Sequence, residues 1–309
     1  VAYGQTVRGE RKPSKHPKRA MKLVKGWANA GVIGDDFKAL FSNLQPGLVS
    51  YVYAGKEMIK SIPLPNFWRP MTENDRANLL PFRAGQWKLA SMYLTNKTEG
   101  GLSGTPFKLD ERENEVSITY TYHLPVIPEK DAKVVYTVHG DGVIDIELTL
   151  DKSDDVGELP ELSMLLTLDA DYKNLSWYGL GPDDTYADRN HAKLSVYSCK
   201  VEDNMAKYLV PQECGNKTGV RYAKITDDRG RGYLIEGREL SLSVLPYTPH
   251  EIDNAPHPNY LPKVQNTYVR IGLMQMGVAG DDTWGARTHE EYMIDNSKEL
   301  KLSFSLRFI

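Results

Sequence analysis

The chain has 309 residues, 40% hydrophobic and 26% charged, with 25 glycines, 18 prolines, two cysteines and a formal net charge of −3. This ordinary globular composition excludes low-complexity, collagenous and disordered classes, and apolar runs such as residues 162–168 are broken by Ser163 and Thr167, far short of the roughly 20 residues a membrane helix needs. Cys199 and Cys214 allow at most one disulfide, so a disulfide scaffold is excluded and a reducing, cytoplasmic compartment is expected.

Residues 1–34 stand apart as a basic arm. Arg8, Arg11, Lys12, Lys15, Lys18, Arg19, Lys22 and Lys25 face the single acid Glu10, which leaves the rest of the chain acidic. A solvated linker is the preferred reading over a nucleic-acid arm, because few side chains there, Trp27 among them, could stack on a base. No apolar h-region precedes the charges, so no signal peptide is read. Val1 in place of Met fits either a piece of a longer protein or a processed chain.

From Asp35 onward the hydrophobic period is two, the mark of half-buried strands. Residues 116–122 form one such strand. Residues 134–139 and 144–150 form a hairpin joined through Gly140-Asp141-Gly142, with Asp-Gly supplying positive-φ positions. A second pair spans 221–226 and 232–236 around Asp227-Asp228-Arg229-Gly230, and residues 240–245 and 267–273 add strands. In the last stretch Leu300, Leu302, Phe304, Leu306 and Phe308 alternate with polar residues. Helices are scarce; Thr248-Pro249-His250-Glu251 carries an N-cap, a first-turn proline and a capping-box acid, and that helix ends by Pro256. Many strands, few βαβ spacings and no internal repeat predict an all-β chain, a large antiparallel sandwich forming one domain over 35–309.

Standard catalytic motifs are missing. Gly179-Leu180-Gly181-Pro182 lacks the third glycine of a dinucleotide fingerprint, and His289-Glu290-Glu291-Tyr292 lacks the second histidine of a zinc helix. The seven histidines are dispersed and neither cysteine belongs to a Cys-x-x-Cys pair. Adjacent carboxylates such as Asp183/Asp184 and Asp227/Asp228 point opposite ways on a strand and read as turn formers, not as the pair a glycosidase places across its bond.

Three segments mix glycine, proline, aromatics and charge beyond what turns require: Asn66-Phe67-Trp68-Arg69-Pro70-Met71-Thr72-Glu73-Asn74-Asp75-Arg76; Trp177-Tyr178-Gly179-Leu180-Gly181-Pro182 through Tyr186-Ala187-Asp188-Arg189, with Pro211-Gln212-Glu213-Cys214-Gly215-Asn216 following; and Gln275-Met276-Gly277-Val278-Ala279-Gly280-Asp281-Asp282-Thr283-Trp284-Gly285. A tryptophan on a glycine-flanked loop beside two carboxylates suits a sugar, since the indole covers pyranose C–H bonds while acids accept hydroxyl hydrogen bonds. On residue chemistry alone, a buried structural tryptophan is still the preferred reading.

Taken in order, these motifs resemble the C-terminal domain of glycoside hydrolase family two β-galactosidases and the separate small subunit of the heterodimeric enzymes, over about residues 33–309. The resemblance implies a galactose-mutarotase-like antiparallel super-sandwich. It implies that the catalytic glutamates, with magnesium and sodium, sit on a (β/α)8 barrel in another domain or a large subunit, leaving no catalytic residue and no cofactor in this chain. It assigns Trp284 to stacking on a β-galactoside such as lactose, with Gly280, Asp281 and Asp282 shaping its loop. Asp75, Arg76, Asp188, Arg189, Glu213 and Asn216 match family motifs as structural residues. The partners implied are that barrel and the sugar, with no nucleic acid and no membrane. The alternative is a free-standing carbohydrate-binding or mutarotase-like sandwich, for which no acid/base pair can be placed by spacing.

Overall fold

The computed structural model describes residues 19–96, 107–112 and 114–309; Arg8, Arg11, Lys12, Lys15 and Lys18 of the basic arm lie outside them. Strands β1 (Lys22–Lys25), β2 (Asn29–Ile33), β3 (Phe37–Ser42), β4 (Gly47–Tyr53) and β5 (Lys56–Glu57) form a five-stranded antiparallel sheet in chain order. Residues 22–33, read from the sequence as part of the arm, are thus strands. Ala30 and Val32 are buried, and Lys22 to Lys25 pair with Ile33 to Ala30. The basic side chains misled because a two-sided edge strand keeps them in water while its backbone joins the ladder.

A sheet of 13 strands makes up the rest: β6 (Leu64–Asn66), β7 (Thr95–Asn96), β8 (Phe107–Arg112), β9 (Glu115–Leu124), β10 (Lys130–His139), β11 (Ile144–Leu150), β12 (Glu161–Asp169), β13 (Asn174–Gly181), β14 (Lys193–Lys200), β15 (Asn216–Thr226), β16 (Gly232–Leu245), β17 (Asn266–Gln275) and β18 (Leu300–Phe308). Every pairing is antiparallel. The sheet forks at β16. Tyr233 to Gly237 pair with β18, which continues through β11, β10 and β9, whereas Ser241 to Leu245 pair with β17, which continues through β12 to β6. Between the two stretches, Glu239 takes a positive φ of 55°, and the pairing with β15 shifts register on both sides of Val220. Bulges of this kind turn one strand from one layer into the next.

The helices are α1 (Glu73–Ala77), α2 (Leu80–Met92) and α3 (Pro249–Asn254). Helix α3 starts on Thr248 with Glu251 closing the capping box, as the sequence predicts. Helix α2 has no sequence signature of that kind: its N-cap is Leu79 in the left-handed region, and its buried Leu80, Ala84, Trp87 and Ala90 are matched by apolar residues on the opposite side. No helix among the described residues is long and apolar enough to cross a membrane.

One continuous core joins both sheets, from Val32 and Phe41 to Trp68, Trp87, Trp177 and Phe304. The small sheet is fastened to it through Tyr51, which stacks on Phe308 at 4.2 Å and donates its hydroxyl to the carbonyl of Gly142 in the β10–β11 turn at 2.5 Å. Tyr51→Phe leaves that buried carbonyl without this donor and is expected to cost about 1–3 kcal/mol, read as a lowered denaturant midpoint with an unchanged m-value; an unaltered midpoint would show that the bond does not fasten the sheets.

Candidate functional site

The three unusual segments converge. The first leaves β6 and runs into α1, which opens with Thr72 as N-cap; its hydroxyl accepts from the Asp75 amide while the Asp75 carboxylate accepts from the Thr72 amide. Asp75 also takes a 2.6 Å ion pair from Arg69, both side chains being buried. Arg69 reaches on to the carbonyl of Gly277 at 3.0 Å, so the first segment grips the third. It grips the second too, since Arg76 donates to the Pro211 carbonyl at 3.0 Å and the Glu73 amide to Gln212 Oε1 at 3.2 Å.

Beneath these lies a buried charge cluster. Arg270, in the middle of β17, donates to Glu161 of β12 at 2.5 Å and to both carboxylate oxygens of Glu213 at 2.9 and 2.7 Å. None of the three is more than 4% exposed. Gln275 bridges Glu213 to Asn216 Oδ1, which also accepts from Ser241, while Asn216 Nδ2 donates to the carbonyl of Thr185 at 2.9 Å. Burial pushes Glu161 up to about 7 against the pull of Arg270, and burial likewise raises Glu213. These carboxylates are sealed from solvent and already engaged, so they are scaffold and cannot serve a sugar as acid and base.

Over this base sits the loop after β17. Asp188 Oδ2 accepts from the Ala279 amide at 2.7 Å, and a Cβ on Gly277 would fall 2.6 Å from that same oxygen. Gly280 is needed for close approach: a Cβ there would sit 2.7 Å from both Cβ and O of Ala286. Asp282 closes the loop on itself, accepting from the amides of Trp284 at 2.8 Å and Ala286 at 3.0 Å, and these bonds hold its carboxyl below the usual range. Asn74 of α1 clamps the outside, its amide donating to the Asp282 carbonyl at 2.7 Å and its Oδ1 accepting from Gly285. Asp281 points away and meets His289 at 2.9 Å, both exposed.

The indole of Trp284 is 90% exposed. The preferred reading from residue chemistry alone, a buried structural tryptophan, is therefore corrected: the loop is pinned largely through its backbone, and no apolar wall encloses the ring. Asp75, Arg76, Asp188, Glu213 and Asn216 come together beneath and beside this loop. The Arg189 backbone pairs with Tyr186, and its side chain is exposed. Arg69, Asn74, Glu161, Arg270 and Gln275 were not singled out individually. A charge at Arg270 between buried Val269 and Ile271 was the one legible sign of the cluster. Among the described residues, no three His, Cys, Asp or Glu side chains are grouped to hold a metal ion.

Known proteins resemble this chain closely. A sequence-family model described as beta galactosidase small chain matches residues 33–306. A beta-galactosidase of Halalkalibacterium halodurans is 40% identical over 314 residues, covering 99% of this chain and 30% of that protein. A beta-galactosidase small subunit of Latilactobacillus sakei is 27% identical and is covered over 98% of its length, with 94% of this chain. The chain therefore spans less than a third of the first relative and nearly all of the second. Among solved structures, a galactose 1-epimerase from Lactobacillus acidophilus NCFM aligns over 94% of this chain and 99% of that one, at TM-score 0.47 and 7% identity.

Raising pH from about 4.5 to 7 deprotonates Glu161 in the unfolded chain before the folded one. A raised folded-state acid contributes stability at low pH that is lost as pH climbs through its folded value. Denaturant unfolding across this window is expected to show wild type losing stability relative to Glu161→Gln; parallel pH profiles would remove the buried proton from the account.

Proposed function

The chain belongs to the beta-galactosidase small-chain family, and we propose that it is the non-catalytic part of a retaining β-galactosidase, completing the active site by presenting Trp284 to the galactoside. The observation that carries this reading is an indole 90% exposed on a loop whose backbone is tied by Asp188, Asn74 and Asp282. An exposed large aromatic held in place without a wall of its own is preorganised for a ligand: little entropy is lost when a pyranose stacks on it.

On this proposal the two carboxylates of double displacement lie in another domain or a large subunit, together with magnesium and sodium. The chain's own residues then bind and position. Trp284 covers the C–H face of the sugar and excludes water there, and the loop beneath it fixes the ring's height and tilt. Lactose and other β-galactosides are the substrates this implies, and the chain by itself is inactive.

Hydrolysis of a chromogenic β-galactoside tests it directly. The isolated chain is expected to show none, and activity is expected to appear when it is joined to the portion bearing the catalytic carboxylates. In that enzyme Trp284→Ala is expected to raise KM roughly tenfold to hundredfold, the loss of about 1.5–3 kcal/mol of stacking burial, with a smaller effect on kcat because stacking serves substrate and transition state alike. Asn74→Ala, which frees the loop without touching sugar, should move KM in the same direction by less. An unchanged KM in Trp284→Ala, or hydrolysis by the isolated chain, would overturn the proposal.

A further inference from the structure

Helix α2 is apolar on both sides. Its inner face packs into the core through Leu80, Ala84, Trp87 and Ala90, yet Phe82 (85% exposed), Leu89 (49%) and Tyr93 (60%) follow one another along the outer face, with Gln86 completing the stripe. Met92 and Leu79 extend it at either end, and Ile127, 81% exposed, is tied alongside because its amide donates to Gln86 Oε1 at 2.6 Å. A helix face lined with apolar side chains is normally buried.

The charges on α2 do not relieve this. Arg83 is held by Glu158 and Asn78, and Lys88 by Asp253, so both basic side chains are engaged by residues of this chain. Leu79 adds a second mark: it occupies the left-handed region at φ 61°, where glycine or asparagine sits without strain, and it is 57% exposed. Single exposed leucines are common, but a charge-free run along a helix marks an interface.

Resting on the function proposed above, we infer that this outer face of α2 is where the chain docks on the part of the β-galactosidase that bears the catalytic carboxylates. The face is continuous with the Trp284 loop. Gly285 lies against Ala77, where an added Cβ would be 3.0 Å from the alanine Cβ, and Asn78 donates to the Ala286 carbonyl at 3.4 Å, one residue before Leu79. A body that brings carboxylates to a sugar stacked on Trp284 must overhang the adjoining surface. Such a body is large, since this chain covers only 30% of the Halalkalibacterium relative. The surface it presents to α2 is apolar and uncharged, to match a face with no free charge to pair.

The test uses this chain and the catalytic portion, mixed and followed by sedimentation and by hydrolysis. Phe82→Glu and Leu89→Glu are each expected to weaken association roughly tenfold to hundredfold, the scale of a central interface anchor, with activity returning as the catalytic portion is added in excess. The melting temperature of the chain alone should not move, and Val196→Glu, at an exposed apolar position on β14, should associate as wild type does. Trp284→Ala should associate normally and show its defect in KM, which separates docking from sugar binding. Normal association by both α2 variants overturns the docking face while leaving the proposed function standing, whereas failure of the wild-type chain to associate or complement overturns both. A fall in melting temperature would mean that another segment of this chain covers the face. Self-association of the wild type that the variants abolish would assign it to a second copy; either result overturns the inference.

Discussion

The interaction on which the rest of the site depends is the buried contact of Arg270 with Glu161 and Glu213. Removing these groups from water costs several kcal/mol per ion, and the loss is offset only if every partner is present at short range. The partners come from β12, from the segment before β15 and from β17, separated by 109 and 57 residues along the chain. The cluster can be satisfied only when the fork at β16 has formed in register, so its main effect is to make a shifted arrangement costly. Arg69 with Asp75 repeats the logic one layer up: a guanidinium with no exposed surface spends its donors on Asp75, Pro70 and Gly277. Two arginines thereby link four stretches of chain that sequence proximity would not hold together.

This gives the Trp284 loop an uncommon kind of support. Its residues bury little apolar area, so hydrophobic packing cannot fix its shape, and the work falls to hydrogen bonds. Asp188 holds the Ala279 amide, Arg69 and Thr288 hold the Gly277 carbonyl, and Asn74 bridges Asp282 and Gly285. Bonds to backbone atoms leave the indole of Trp284 free. The main chain of the loop is pinned and the indole is left in water.

Much of the fold was legible because half-buried antiparallel strands write their geometry into the sequence with period two. β18 alternates buried and exposed from Leu300 to Phe308, and β9 and β11 do the same. Some of the elements that escaped are those whose burial is not one-sided. β12 contains a run buried on both faces and so shows no alternation, and α2 carries apolar residues on two opposite sides and so shows no single helical stripe. β1 was hidden by lysines that an edge strand tolerates. At the site, the motif segments could be found individually, but no spacing rule reveals that residues 161, 213 and 270 meet, because a contact across a forked sheet has no period. The exposure of Trp284 was also invisible to residue chemistry, which ranks a tryptophan as interior unless something is known of the loop beneath it.

The proposed function gives the distribution of polar groups one common explanation. Where charge is buried, at Arg69, Asp75, Glu161, Glu213 and Arg270, it is ion-paired and inaccessible; where apolar surface is exposed in quantity, along α2 and at Trp284, the neighbouring charges on α2 are engaged elsewhere within the chain. Both violate the ordinary arrangement of polar outside and apolar inside, and they adjoin through α1, which carries Asp75 on its inner side and Asn74 toward the loop. A soluble domain with no partner gains nothing from either violation. On the proposed function, a domain that holds one aromatic ring steady at the edge of another body's active site would gain from both: the buried ions would fix where the ring stands, and the bare helix face would supply the area that keeps the two bodies together.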